Sequence, residues 1–421
     1  MPPYARSEPP HTEPAPVEPA PVEPAAATAP PRASASASAR VPLLDVLRGV
    51  AIVGTLMTNV WIFTGPGAEV GFLNGAAGAG LGTLLDDPSP ADAAEGVFRF
   101  LADGKFLSLL TVLFGVGLAI QYDSALRKGL KWPGRYHRRA LFLFAEGLLH
   151  FVLIFAWDVL MGYAVTAFLV ARMLKRSDRF RRAAMGVAAG LHVTVITLLT
   201  LVLAAAPAPS EKSGSDGLDE AIALYADGSW LDQVLFRLDH MAALRIEPVL
   251  SFGLLVFLFL LGVRLHRAGA FAPDARGRAL RGRTARWGLA VGLPLNAAVS
   301  LAGEDFFLVS RYIAAPVVAL GYIGLIGVLF DRVRRPGPVT AGLTALGRCA
   351  LSGYVLQNLL CVLVAYGFGL GLAARLADTG PWWVMGLWAA VSLTLAAGAA
   401  LWLRRFRHGP LETLQKRALG G

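Results

Sequence analysis

The chain has 421 residues, 55% of them hydrophobic, and carries 39 Lys and Arg against 29 Asp and Glu, a net charge of +10. That apolar fraction exceeds the usual balance of a water-soluble domain and points to a multi-span membrane protein. The basic excess does not point to nucleic acid, because the arginines fall in short clusters between apolar runs, where they set topology rather than form a binding surface. Residues 1–40 repeat Pro-Val-Glu-Pro-Ala and then alternate Ser with Ala; with nothing apolar to bury, they are expected to be a disordered arm. The arm has no short apolar region with a cleavage site, so the first apolar segment is expected to be a retained helix. Ten apolar runs near the length that crosses about 30 Å of hydrocarbon follow, at 43–63, 97–121, 138–156, 158–174, 184–205, 247–266, 285–302, 309–330, 345–367 and 382–403.

Alternate connections between these runs are basic: Arg127 to Arg139, Arg172 to Arg182, Arg264 to Arg286, Arg332 to Arg335 and Arg404 to Arg407. The others are acidic, with Asp86, Asp87, Asp92 and Glu95, then Asp216, Asp219, Glu220 and Asp227, then Glu304 and Asp305. Excess Lys and Arg mark the cytoplasmic side. Ten spans with both termini in the cytoplasm satisfy that rule at every connection; the preference for Arg over Lys with abundant Ala and Gly suggests a GC-rich bacterial genome, and the bacterial plasma membrane is the expected location. Between 207 and 246 an amphipathic helix through Leu218, Ile222, Tyr225, Trp230, Val234, Leu235 and Leu238 is expected to lie at the membrane surface, and a lid role is the alternative. Cys349 and Cys361 lack a pairing framework and metal-ligand spacing, so no disulfide and no metal site are expected.

Polar groups inside the spans carry whatever chemistry there is. Leu44-Asp45-Val46-Leu47-Arg48-Gly49 runs into Val50–Phe63 with Asn59. An Asp or Arg at a helix centre costs about 2.5–3.5 kcal/mol on insertion scales, so such residues are rare without a role. At about 100° per residue Asp45, Arg48, Ile52, Thr55 and Asn59 share one face, with Asn59 roughly 20 Å beyond Asp45. Glu146 and His150, four apart, are neighbours on a helix face; the carboxylate can hold one imidazole nitrogen while the other meets a substrate, as a general base requires. Asp158 and Tyr163 follow in the next span. Lys105 and Ser108 share a face ahead of Phe114-Gly115-Val116-Gly117, whose small residues permit close helix approach. Tyr354, Gln357, Asn358 and Cys361 share another face, next to Arg348. Each group also has a plainer role. Asp45 and Arg48 can pair at the interface, Lys105 can snorkel, His150 can bridge helices, and Tyr354, Gln357 and Asn358 can serve as polar packing. His137, His192, His240, His266 and His408 have no companion that sets them apart.

The opening Leu44-Asp45-x-x-Arg48-Gly49 with Asn59 resembles the start of the YeiB/DUF418 family of bacterial membrane proteins. Phe106 to Gly117 is similar to that family's second helix, and Arg138-Arg139, Gly147, His150, Asp158-Val159-Leu160 and Tyr163-Ala164 to its third and fourth. Gly347-Arg348-x-Ala350-Leu351-Ser352-x-Tyr354-x-Leu356-Gln357 and Gly409-Pro410-Leu411-Glu412 resemble the DUF418 signature, here about 250–421. The resemblance runs from about residue 41 to the end, and its C-terminal block is the most specific part. The family's opening helix in turn resembles membrane acyltransferases such as the heparan-glucosaminide N-acetyltransferase group, which pass an acyl group from cytosolic acyl-CoA to a sugar across the membrane. There the Asn matching Asn59 by motif belongs to the active site and a His follows shortly after. This chain has no His between Val60 and Gly96, so either His150 takes that role or the chemistry is absent.

These readings lead to an all-α polytopic fold of about ten spans over 41–421, with a central polar cavity. The expected function is transfer of an acyl group from cytosolic acyl-CoA, a co-substrate rather than a bound cofactor, to an extracytoplasmic glycan or lipid-linked acceptor. His150 is the expected base, oriented by Glu146, with Asn59 and Lys105 at the developing oxyanion. Asp45, Arg48, Arg138 and Arg139 are expected at the cytoplasmic mouth, with Asp158, Tyr163, Gln357 and Asn358 also contacting substrate. The alternatives are a transporter or flippase of a small anionic or lipid-like solute, and an envelope protein without a substrate. No discontinuous helix pair or inverted repeat is evident, which weighs against transport.

Overall fold

The computed structural model describes residues 41–71, 81–85, 89–134, 136–206 and 211–419; the expected arm at 1–40 and the acidic Asp86 and Asp87 lie outside them. The described residues form helices and turns and contain no strand. Helix α1 (Pro42–Thr64) opens on a proline, whose fixed φ and missing N–H suit a first turn, and closes where the Gly65 N–H bonds Trp61 O. A capping box between Ser89 and Asp92 starts α2 (Pro90–Ala102). The second expected span is displaced by a break at Asp103 and Gly104, and its long apolar part is α3 (Lys105–Arg127). Next come α4 (Tyr136–Leu153), α5 (Leu160–Met173) and α6 (Asp178–Ala205).

The amphipathic segment differs from its expectation. It breaks at Asp227-Gly228 into α7 (Glu211–Ala226) and α8 (Trp230–Asp239), the second restarted by a Ser229–Asp232 capping box. Helix α8 turns Gln233, Val234 and Arg237 inward and leaves Leu231, Leu235 and Leu238 exposed, so its buried face is partly polar. The chain continues through α9 (Phe252–Ala268), α10 (Ala275–Leu301), a π-helical turn at Ser310–Ala314, and α11 (Ala315–Arg332). It ends with α12 (Pro338–Arg348), α13 (Ala350–Ala365), α14 (Trp382–Arg405) and α15 (Pro410–Ala418).

Among the described residues five helical stretches are long and apolar enough to cross a membrane: Pro42–Thr64, Pro90–Arg127, Asp178–Ala205, Glu304–Arg332 and Trp382–Arg405. A sixth qualifies only if α12 and α13, bent by 96° at Cys349, are taken as one span. The other expected spans are helices with identifiable shortfalls. Helix α4 places Arg138, Arg139 and Glu146 within 18 residues, α5 has 14 residues, α9 has 17, and the apolar half of α10 carries Arg286, Pro294 and Asn296. On α6, Val187, Leu191, Leu198 and Leu201 are exposed, as a lipid-facing surface requires. The bent pair is a discontinuous helix that sequence reading did not anticipate. The protein is an all-helical, multi-pass membrane protein.

Helix α1 packs against α3, α12, α13 and α14. Its crossing with α12 is unusually close: a Cβ on Gly347 would lie 1.7 Å from Asp45 O, and one on Gly49 would lie 2.0 Å from Leu343 O. The α3–α9 crossing is built the same way, since a Cβ on Gly115 would lie 2.1 Å from Phe259 O and one on Gly262 2.1 Å from Val112 O. Without a hydrophobic drive between helices in lipid, such backbone approach supplies the dispersion contact that holds them.

Candidate functional site

The polar stripe of α1 faces α13. Asn59 Nδ2 donates to Asn358 Oδ1 at 3.5 Å, Asn358 Nδ2 lies 3.0 Å from His150 Nε2, and Gln357 Nε2 donates to Thr55 Oγ1 at 3.5 Å. An amide nitrogen only donates, so the Asn358 contact makes Nε2 the acceptor and places the ring proton on Nδ1. His150 is 2% exposed, its Nδ1 has no hydrogen-bond partner, and its ring lies 5.3 Å from that of Tyr354. Asn59, His150, Gln357 and Asn358 are therefore brought together. The expected bond from Glu146 to His150 is absent, because the imidazole is drawn across to α13 and neither carboxylate oxygen of Glu146 has a hydrogen-bond partner.

Several other expected contacts are structural. Asp158 Oδ2 accepts from the Leu160 and Met161 N–H groups at 2.9 and 3.3 Å, satisfying the first turn of α5, and its backbone oxygen accepts from Arg245 at 2.8 Å. The Tyr163 hydroxyl lies 2.7 Å from Thr111 Oγ1 and donates to Leu107 O at 3.2 Å, which leaves it fully engaged. Lys105 is 2% exposed with its ammonium 4.6 Å from the Phe100 ring centroid, a cation–π contact.

At the arginine-bearing end of the bundle lies a cavity of about 260 Å³. Arg48, Arg139, Arg348, Gln121 and Glu412 supply its polar wall, while Leu110, Leu113, Phe114 and Leu143 supply the apolar one. Asp45 holds the Arg48 guanidinium at 3.1 Å. Arg138, expected beside Arg139, is exposed and does not line this cavity, since the next residue on a helix points about 100° away. Tyr354 closes the far wall and also lines a second chamber of about 30 Å³, which Thr55, Thr58, Asn59, Glu247 and Arg311 surround.

Three charged groups of this region were not singled out in the sequence. Glu412, on α15, accepts from Leu351 N at 2.8 Å and Ser352 Oγ at 2.6 Å, placing a carboxylate at the start of α13, where unsatisfied N–H groups favour an anion. Arg311 sits on the π-helical turn and reaches Glu247 at 3.3 Å, and the Tyr312 hydroxyl donates to the same carboxylate at 2.6 Å. Single π turns occur preferentially at functional positions. The only signal for Glu412 was its place in the C-terminal motif, while nothing in the local sequence marked Glu247 and Arg311. Among the described residues no three His, Cys, Asp or Glu side chains gather to hold a metal ion.

Comparison with known proteins bears on the whole arrangement. The family model DUF418, a protein of unknown function, matches residues 265–421. The uncharacterized protein YxaH of Bacillus subtilis (strain 168) is 27% identical over 398 residues, covering 90% of this chain and 94% of that one. The uncharacterized protein YeiB of Escherichia coli (strain K12) is 27% identical over 392 residues, covering 88% and 94%. No solved structure matches. The Asp45–Gly49 segment and the Gly347–Gln357 segment pack directly on one another, and the chain is similar to the DUF418 family over 265–421 and to YxaH and YeiB over most of its length.

Proposed function

We propose that the protein is a ten-span acyltransferase of the bacterial plasma membrane, with both termini cytoplasmic, that moves an acyl group from acyl-CoA to a hydroxyl or amine of an envelope glycan or lipid-linked acceptor. The observation that carries this reading is the cavity with Arg48, Arg139 and Arg348 at one end and Tyr354, backed by His150, at the other. Arginine forks suit the phosphates of a carrier, and the apolar wall suits its acyl chain. In the reaction the acceptor oxygen bonds the thioester carbonyl carbon, the C–S bond breaks, and the acceptor proton passes through His150 to the leaving thiolate. Because Asn358 occupies His150 Nε2, that bond must open before the imidazole can take a proton.

Purified protein is expected to be stabilised by CoA or an acyl-CoA. A ligand that binds only the folded state adds RT ln(1 + [L]/Kd), about 2.7 kcal/mol at a hundredfold excess over Kd. Added salt should shrink the shift, since part of the attraction is between exposed charges. A monodisperse sample whose melting transition no CoA species moves would rule the reading out.

The topology has its own test. After Cys349 and Cys361 are replaced, a single cysteine at the exposed Asp227 should react with an impermeant reagent in intact cells. Cysteines at Arg176 and Arg278, both exposed, should react only after lysis. External labelling at position 278 contradicts ten spans with cytoplasmic termini.

The 96° bend between α12 and α13 favours a second reading, passage of an anionic solute. Broken helices whose half-helix N-termini face a cavity are a usual way for transporters to bind anions. Solute accumulation in proteoliposomes, with no acyl transfer and no CoA-dependent stabilisation, would select it.

A further inference from the structure

One face of α1 lines three chambers in succession. Arg48 and Ile52 border the large cavity; Thr55, Thr58, Asn59 and Ile62 border the second chamber; Thr58, Ile62, Gly65 and Pro66 border a third, of about 20 Å³. Pro66 is exposed, so the third chamber lies at the surface of the protein. From Arg48 to Thr64 the helical rise amounts to about 24 Å, most of the roughly 30 Å of a hydrocarbon core. The chambers share walls. Tyr354 separates the first from the second, and Thr58, Ile62 and Arg311 stand between the second and the third.

Size and polarity define what the two smaller chambers can hold. A cavity needs about 10–15 Å³ of such space, and two or more polar partners, to hold one water. Chambers of about 30 and 20 Å³ therefore suit one or two waters each and are too small for a sugar or a nucleotide. Asn59, Glu247 and Arg311 provide partners in the second, and Arg99, Asp103 and Arg311 in the third. Trp61, which lines the third chamber, is buried with no hydrogen-bond partner on Nε1. A buried indole N–H without a protein partner is what an adjacent water satisfies.

We infer that the Thr55–Thr64 face of α1 forms a half-channel for water, entering at the Pro66 end and sealed at Tyr354. It does not rest on acyl transfer, because chamber size and lining alone define it. Tyr354 is the seal because, among the described residues, no other borders both the large cavity and the second chamber.

Hydroxyl-radical footprinting of the wild-type protein reads the water directly. Trp61 and Trp132 are both 7% exposed, but Trp132 Nε1 is bonded to Ala171 O, and Tyr354 and Tyr366 are 4% and 1% exposed, with the Tyr366 hydroxyl bonded to Glu69. Oxidation of Trp61 is expected to run about fivefold faster than that of Trp132, and Tyr354 about fivefold faster than Tyr366, because a bound water is the local source of radical. Equal rates within each pair would overturn the inference. In proteoliposomes under an osmotic step, Tyr354→Ala is expected to raise water entry about tenfold over wild type, while Tyr354→Phe stays sealed. Adding Thr58→Phe to Tyr354→Ala should return entry to the wild-type rate by filling the wall between the second and third chambers. A folded Tyr354→Ala protein as tight as wild type, or a leak indifferent to Thr58→Phe, also overturns it.

Discussion

Replacing Arg237 by methionine is expected to lower the unfolding free energy by about 3–5 kcal/mol, the usual cost of removing one partner from a buried ion pair. Arg237 and Glu69 are each 0% exposed. Arg237 Nε and Nη2 donate to the two carboxylate oxygens at 3.0 and 2.8 Å, and Arg237 also donates to Val152 O at 3.3 Å and Ile154 O at 3.1 Å. Glu69 in turn accepts from Ala156 N and the Tyr366 hydroxyl, each at 2.9 Å. The cluster ties the segment after α1, the α4–α5 turn, α8 and the end of α13 into one unit. Methionine fills comparable volume but strands the Glu69 charge and two carbonyl oxygens away from water. Glu69→Gln combined with Arg237→Met should cost less than the sum of the two single changes by more than about 1 kcal/mol, since each single change leaves the other group unpaired. Arg237→Lys should fall between wild type and methionine, because it keeps the charge and loses the fork. Chemical unfolding followed by tryptophan fluorescence measures the four variants against wild type. An Arg237→Met protein within 1 kcal/mol of wild type would contradict a desolvated pair.

What the sequence reveals about this fold depends on how far apart the interacting residues lie. Helix positions, the polar face of α1 and the small-residue crossings repeat at helical spacing, so periodicity exposes them. The Asp45–Arg48 bond, at 3.1 Å, is three residues long and equally legible. Glu69 and Arg237 are 168 residues apart, and Glu247 and Arg311 are 64 apart; no local pattern signals that they meet. The Glu146 and His150 spacing shows the limit of a local rule. Four residues put two side chains on one face, but which partner an imidazole takes is decided by all helices around it, and here Asn358 from α13 holds it. The bend at Cys349 was hidden for a similar reason. The Gly347-Arg348-Cys349-Ala350 run contains no proline, and the N–H groups freed at the bend are satisfied by Glu412 from 61 residues away. A span count based on hydropathy treats each apolar run as one straight helix, so it does not see this break.

Gly347 and Arg348, adjacent in one motif, should respond to substitution in opposite ways. Gly347→Val is expected to destabilise the protein by about 3 kcal/mol, the upper part of the usual range for overpacking, because the obstacle is backbone and no rotamer change removes it. A Cβ at this position would lie 1.7 Å from Asp45 O, 2.7 Å from Asp45 C and 2.9 Å from Gly49 N, so α12 must move off α1. That movement also shifts Arg48, and any ligand response should fall with the stability. Arg348 makes one long hydrogen bond, Nη2 to Arg407 O at 3.4 Å, and its Nε has no hydrogen-bond partner. Arg348→Gln should therefore change stability by less than about 1 kcal/mol, the net worth of a typical hydrogen bond. Its effect should appear instead as a smaller CoA-induced shift in melting temperature, with a weaker salt dependence because one cation has left the cavity. If Gly347→Val melts like wild type, the two helices are not in backbone contact. If Arg348→Gln keeps the full CoA shift, the guanidinium at the α12–α13 bend is a topology charge and the carrier's phosphates bind elsewhere. Measured together, the two neighbouring substitutions separate the part of the motif that holds the helices from the part that meets a ligand.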